Sequence, residues 1–175
     1  MTPVTTNPAD GTLETRDDRH VLRYERRLAH PVERVWAAIT EPAELRGWLA
    51  DADLDLVAGG PVELRWLNTD DEDNRAVATG TVTALDPPRL LELDTEPHGV
   101  LRFELRPDGA GTALTFTVTT PVPNEHVTLA LAGWHIHLEH LADALDGRPV
   151  DWPAWSDEHR PRWDEIHARY AAREA

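Results

Sequence analysis

The sequence has no cysteine among its 175 residues. Disulfide bonds, thiolate metal sites and cysteine nucleophiles are therefore excluded. It also has no apolar run close to the roughly 20 residues that a membrane-spanning helix needs. The first residues, MTPVTTNPADGTLETRDD, contain neither the basic nor the apolar stretch of a secretory signal peptide. We therefore predict one soluble, cytoplasmic domain with tails.

Positive charge is scarce as well. The chain has 17 Lys and Arg residues against 32 Asp and Glu residues, which gives a formal net charge of −15. Such a field repels phosphate backbones and anionic membrane surfaces, so we expect neither nucleic acid nor a membrane as a partner. The acidic surface favours solubility, and recruitment of a basic partner is the alternative interpretation.

Catalytic and metal-binding signatures are also missing. The sequence has no G-x-S-x-G, P-loop or G-x-G-x-x-G motif. The acidic loop at residues 68–74 lacks the central Gly and the closing Glu of a calcium loop, so we interpret it as a solvated loop. We accordingly predict no catalytic residue, no metal and no cofactor.

Four histidines fall on one predicted helix, a grouping that could suggest a metal site. No two of His126, His135, His137 and His140 are spaced i, i+4, so no pair shares a helix face as in H-E-x-x-H. The helical period puts His135 and His137 on the two shoulders of the apolar stripe and His140 in solvent. A role for His135 as a donor into a pocket is the alternative.

Two periodicities define the predicted elements. Residues 53–119 alternate apolar and polar side chains with the two-residue period of a half-buried sheet, and residues 20–28 form a first strand. Two short helices, at about residues 31–40 and 42–49, follow that first strand. A long amphipathic helix then runs from about residue 124 to 147, where Gly147 ends it. One helix must therefore cover one antiparallel sheet, and such an arrangement can enclose a cavity.

Bulky side chains from both layers are predicted to line that cavity. Trp, Phe and Leu residues of the helices and strands point inward, and Thr79 is expected on the inner face as a polar contact. The predicted ligand-binding residues are Trp36, Trp48, Trp66, Thr79, Phe103, Phe116, Leu131, Trp134 and Leu138. A cavity with this lining predicts binding of a small apolar or aromatic molecule.

The order of elements resembles the helix-grip fold of the START and Bet v1-like superfamily, an α+β fold. It gives a seven-stranded antiparallel sheet wrapped around a long C-terminal helix, with two short helices after the first strand. Within it the chain is similar to bacterial relatives of the C-terminal domain of the activator of the Hsp90 ATPase. The segments that carry the resemblance are PVERVWAAIT-EPAELRGWL, the VAGG turn, GTVTALDPPRLLEL, LRFELRPDGAGTALTFTVT and GWHIHLEHLADAL.

Composition, periodicity and the resemblance together divide the chain into three parts. Residues 1–19 are expected to be a disordered tail, residues 20–147 the helix-grip ligand-binding domain, and residues 148–175 an extension with a short docked helix. The chain departs from the family's usual aromatics at Trp48-Leu49, Pro61-Val62 and Leu93-Asp94, which border the cavity or its mouth, so its ligand is expected to differ.

The resemblance implies a hydrophobic cavity that holds a small apolar molecule, and it leaves other functions open. Some relatives catalyse ring closure, so a cyclase or hydrolase that uses the same cavity is one alternative. A protein-interaction module with a chaperone as its partner is the other. We predict binding rather than catalysis, by a monomer or a homodimer.

Overall fold

The computed structural model describes residues 9–68 and 76–174. Its strands are β1 Thr12–Arg16, β2 Arg19–Leu28, β3 Ala50–Leu54, β4 Pro61–Trp66, β5 Val77–Asp86, β6 Leu90–Glu96, β7 Gly99–Asp108 and β8 Gly111–Thr120. Its α-helices are α1 Val32–Thr40, α2 Pro42–Leu45, α3 Val127–Leu145, α4 Trp155–Glu158 and α5 Arg160–Glu174. Residues 69–74 of the predicted acidic loop lie outside the described residues.

The strands form one antiparallel sheet in the order β1-β2-β8-β7-β6-β5-β4-β3. This confirms the predicted α+β architecture, in which an antiparallel sheet accompanies a long helix near the C-terminus. The sheet has eight strands, however, so the prediction of seven was wrong by one. None of the helices in residues 9–68 and 76–174 is long and apolar enough to span a bilayer.

The additional strand is β1, which pairs with residues 19–23 of β2. The expectation of a disordered tail over residues 1–19 is therefore wrong for residues 12–16. Asp17 and Asp18 link the two strands with φ values of 47° and 64°, and hairpin turns with two such residues match the strand twist. Most side chains of β1 are exposed, so this edge strand shows no apolar alternation that a sequence pattern could reveal.

Helix α3 lies against the inner face of the sheet. The Tyr24 hydroxyl of β2 donates to the Leu131 carbonyl of α3 over 2.8 Å, and Trp134 meets Phe116 of β8 with ring centroids 5.4 Å apart. Trp66 of β4 contacts Trp134 from farther along the sheet, at 5.6 Å. Strands β2, β8 and β4 thus hold one side of α3 against the inner face of the sheet, with aromatic pairs in a favoured edge-to-face geometry.

The C-terminal segment covers the other side of α3. Ile166 and Tyr170 of α5 are fully buried, and α5 packs against α3. The Tyr170 hydroxyl accepts the backbone N–H of Gly11 at 2.7 Å and lies 2.8 Å from Nδ1 of His135. Arg169 pairs with the buried carboxylate of Asp10. The extension therefore fastens α3 to the residues that precede β1.

Candidate functional site

A cavity of about 630 Å³ lies at one end of the interface between α3 and the sheet. Four segments form most of its wall: the end of β4, the turn between β6 and β7, the link between β8 and α3, and the first half of α3. They contribute Trp66, His98, Val122, Leu129, Trp134 and His137, among others. Asn68 and Ala76 also border it.

Four rings form what we call the aromatic wall: Trp66, His98, Trp134 and His137. Trp66 is central to it, with ring centroids 5.0 Å from His98, 5.6 Å from Trp134 and 5.5 Å from His137. All three contacts are steep edge-to-face arrangements, the geometry that aromatic quadrupoles prefer. The wall thus combines two indole rings with two imidazole rings.

His98 is held in one tautomer by its neighbour. The Nε1–H of Trp66 donates to Nε2 of His98 over 2.9 Å, and an indole N–H can only donate. Burial lowers the pKa of His98 below its usual value, which keeps the ring neutral at pH 7. The hydrogen of this neutral ring therefore resides on Nδ1, so His98 is a potential hydrogen-bond donor.

His137 takes the same tautomer for a different reason. Its Nδ1 lies 2.7 Å from the carbonyl oxygen of Gly133, which can only accept, so Nδ1 carries the hydrogen. Burial lowers the pKa of His137 to about 4, opposed by the Gly133 hydrogen bond and assisted by nearby His98. Its Nε2 is then an acceptor, and it has no hydrogen-bond partner among the described residues.

No formal charge is contributed by the described lining of the cavity. Its residues include three histidines but no Asp, Glu, Lys or Arg, in a chain with a net charge of −15. No group of three or more His, Asp or Glu residues within 9–68 and 76–174 is arranged to hold a metal ion. The lining therefore suits an uncharged and largely apolar molecule.

Two of the nine predicted ligand-binding residues, Trp66 and Trp134, border this cavity. Five others are packed in the core instead: Trp48, Phe103, Phe116, Leu131 and Leu138. Phe103 stacks on Phe116 at 4.6 Å, and Trp48 meets the edge of Phe103 at 6.4 Å. The aromatic side chains fill the centre of the interface by packing on each other, and the cavity lies at its end.

The other two predicted residues lie away from the cavity. Trp36 is half-buried on α1 and packs at the margin of the core. Thr79 is exposed on the outer face of β5, so its predicted inward orientation is wrong. Ala78 and Val82 are the buried residues of that strand. The inner face of β5 carries small residues, whereas larger Val and Thr side chains alternate on its outer face. The sequence prediction took that outer face for the inner one.

The predicted position of His140 in solvent is also wrong, because its side chain is buried. The Nε1–H of Trp155 donates to Nε2 of His140 over 3.1 Å, and the His159 ring lies 4.7 Å away. Burial lowers the pKa of His140 to about 3. A helical wheel of α3 alone cannot show this, since the covering residues come from the C-terminal extension.

His135 is buried too, but it faces the extension and not the cavity. Its Nδ1 meets the Tyr170 hydroxyl at 2.8 Å, and its Nε2 lies 3.4 Å from a carboxylate oxygen of Glu139. The sequence pattern missed His98 and His137 as lining residues. The one available signal for His98 was a histidine in the Pro97-His98-Gly99 turn, and turns at sheet ends often carry functional groups.

A known protein family and several solved structures share this architecture. The family model described as Activator of Hsp90 ATPase homolog 1-like protein matches residues 29–146. No curated protein matches the sequence.

Solved structures share the fold. CalU16 from Micromonospora echinospora is 23% identical with a TM-score of 0.70, over 93% of this chain and 96% of that one. The protein encoded by gene BPP1335 from Bordetella parapertussis is 26% identical with a TM-score of 0.68, over 98% and 94%. DynU16, of the dynemicin biosynthetic locus, is 23% identical with a TM-score of 0.62, over 77% of this chain and 49% of that one. Because the family model spans more than half of the sequence, the chain belongs to the family of Activator of Hsp90 ATPase homolog 1-like proteins, which has the START and Bet v1-like fold.

Proposed function

We propose that the protein binds a small, uncharged aromatic molecule in the cavity beside Trp66 and Trp134. The observation that carries this proposal is a cavity of about 630 Å³ whose described lining has two indole rings and no charged side chain. Small-molecule sites have volumes of roughly 300–1,000 Å³ and a mostly apolar lining with a few polar groups. The cavity has both properties.

The expected affinity follows from the apolar area that a ligand would bury. A two-ring aromatic molecule that buries about 250–300 Å² gains about 6–7 kcal/mol at about 25 cal/mol per Å². The loss of translational and rotational freedom on binding reduces that gain. Apolar contact alone therefore supports micromolar binding or weaker, and tighter binding requires polar contacts.

Binding is better supported than catalysis. Acid–base catalysis by histidine needs a pKa near the working pH and commonly a carboxylate that orients the ring. Burial lowers the pKa of His98 below its usual value, and it lowers the pKa of His137 to about 4. No carboxylate belongs to the described lining. These properties favour a binding site for a neutral molecule over the active site of a cyclase or hydrolase.

Gly133 provides the test. It borders the cavity, and a Cβ built on it would meet nothing within 4 Å. We expect Gly133→Leu to fill the cavity and to weaken the binding of naphthalene at least tenfold, measured by quenching of tryptophan fluorescence. Gly133→Ala adds only one methyl group and is expected to change the affinity less than threefold.

Helix stability separates this result from unfolding. Replacing glycine inside a helix by a better helix former stabilises it by up to about 1 kcal/mol. Both Gly133 variants should therefore melt at or above the wild-type temperature. Equal naphthalene affinity of wild type and Gly133→Leu would show that the molecule binds elsewhere and would contradict the proposal.

A further inference from the structure

Two of the three histidines buried on α3 pair with the C-terminal extension, and the third does not. His135 contacts Tyr170, His140 accepts from Trp155, and Glu139 accepts from Arg162 at 2.6 Å. The buried His135 and His140 and the half-buried Glu139 thus each have a partner in the C-terminal extension. Only His137 keeps a buried ring nitrogen without a partner among the described residues.

An unpaired buried acceptor has a cost, so this exception calls for a reason. A buried polar group without a hydrogen bond has lost its bonds to water without replacement, and native structures contain few such groups. His137 is also the one of these side chains that borders the cavity. A bound molecule is the partner that would pair this nitrogen.

From this position we propose that His137 Nε2 accepts a hydrogen bond from the ligand, an uncharged aromatic molecule that carries a hydrogen-bond donor such as the hydroxyl of a phenol or naphthol. This inference rests on the proposed function, because it concerns the same cavity. The tautomer decides the direction of the bond. Since Nδ1 of His137 donates to Gly133, the neutral ring can only accept at Nε2, and a ligand ether or carbonyl oxygen cannot pair with it.

Access to His137 Nε2 involves Trp66. The nitrogen is closed off from solvent, and the Trp66 ring lies 5.5 Å from the imidazole while it also borders the cavity. The indole nitrogen of Trp66 is held by one hydrogen bond, to His98. A ligand hydroxyl can therefore reach Nε2 only from beside the Trp66 ring, which has to move away from the imidazole to admit it.

His98 supplies the complementary contact. Its Nε2 is occupied by Trp66, so its Nδ1–H is a donor for which the structure gives no partner within residues 9–68 and 76–174. The aromatic wall thus combines one acceptor and one donor, both on neutral rings. A carboxylate ligand would place its charge against the unprotonated Nε2 of His137 and is disfavoured.

The test compares 1-naphthol with 1-methoxynaphthalene, which have the same rings but differ in the hydrogen that can be donated. Binding is followed by tryptophan fluorescence at pH 7.5. We expect wild type to bind 1-naphthol about tenfold more tightly, the factor that corresponds to about 1.4 kcal/mol. His137→Phe should reduce that ratio to about one while 1-methoxynaphthalene binds within about threefold of wild type.

Two further variants control the comparison. His137→Gln can present an amide oxygen near the position of Nε2 and should restore part of the preference. His167→Phe changes a histidine of α5 that does not border the cavity and should leave the ratio unchanged.

The outcomes separate the two proposals. Binding of both probes to wild type without a preference, or a tenfold preference that persists in His137→Phe, would overturn the role of His137 and leave the proposed function standing. If neither probe binds wild type, the proposed function fails and this inference fails with it.

Discussion

At the scale of single residues, hydroxyl and imidazole groups in the interior are fixed by partners that are remote in sequence. The Tyr170 hydroxyl is the clearest case, because it accepts the buried N–H of Gly11 and meets Nδ1 of His135. Burial raises the pKa of Tyr170 above its usual value, so the hydroxyl stays protonated at neutral pH. One oxygen therefore links α5, α3 and the segment before β1.

Removing that oxygen should destabilise the folded protein. We expect Tyr170→Phe to lower the free energy of unfolding by about 1–3 kcal/mol, because the Gly11 N–H and the His135 ring lose a partner in the interior. Urea denaturation monitored by circular dichroism measures the loss.

Tyr24→Phe is the matched control. Its hydroxyl donates to the Leu131 carbonyl, which as a helical carbonyl also accepts a backbone N–H one turn later. We expect a loss of about 0.5–1.5 kcal/mol there. A smaller loss for Tyr170→Phe than for Tyr24→Phe would contradict the linking role of the Tyr170 hydroxyl.

At the scale of elements, the residues after α3 decide the environment of that helix. Trp155, at the start of α4, donates to His140 and is itself buried. The His159 ring also contacts His140, with ring centroids 4.7 Å apart. Without this cover, His140 would have the solvent-exposed position that the period of α3 predicts.

Trp155→Ala should therefore change the titration of His140. We expect the pKa of His140 to rise from about 3 toward 6.5, since burial is the main cause that lowers it. A histidine titration followed by NMR measures this shift. The same variant should lose about 3–5 kcal/mol of stability as a large core residue is truncated.

Trp163→Ala serves as its control, because Trp163 is only partly buried, on α5, and stacks on His167 at 4.9 Å rather than on His140. It should leave the His140 titration unchanged. An unshifted His140 in Trp155→Ala would mean that the indole does not cause the burial.

The elements also show where sequence patterns succeed. The alternation in β4, with Val62, Leu64 and Trp66 buried, and the stripe of α3 predicted their inner faces correctly, because one buried face imposes a period. The same reasoning assigned the wrong face to Thr79 and missed β1. In β5 the inner side chains are small, and in β1 backbone pairing rather than burial holds the strand.

At the scale of the whole molecule, buried neutral histidines couple stability to pH. The pKa values of His137 and His140 are lowered by burial to about 4 and about 3, from 6.5. Between pH 6.5 and those values the unfolded chain binds protons that the native protein does not. The free energy of unfolding therefore falls as the pH falls through this window.

We expect a loss of about 1–2 kcal/mol per histidine between pH 7 and pH 5. Urea denaturation at pH 7, 6 and 5 measures it. Burial alone would raise the pKa of Glu139, but hydrogen bonds from His135 and Arg162 lower it to about 2. The stability that the ionised Glu139 contributes is therefore present above about pH 4.5 and is lost only below it, outside the range from pH 7 to pH 5.

His137→Phe should show a shallower dependence on pH than wild type, while His126→Ala, at an exposed position, should follow the wild-type curve. Parallel curves for wild type and His137→Phe would indicate that His137 titrates normally in the native protein.

The sequence by itself determined most of the elements and their order, with β1 as the exception among the strands. A two-residue period, a 3.6-residue period and turn residues are local properties, and they suffice to predict a sheet covered by one long helix. The tertiary structure decided where the empty space lies and which polar groups are paired. Those outcomes depend on how Phe103, Phe116 and Trp134 fill volume together and on what the C-terminal extension covers, which are contacts between residues far apart in the chain.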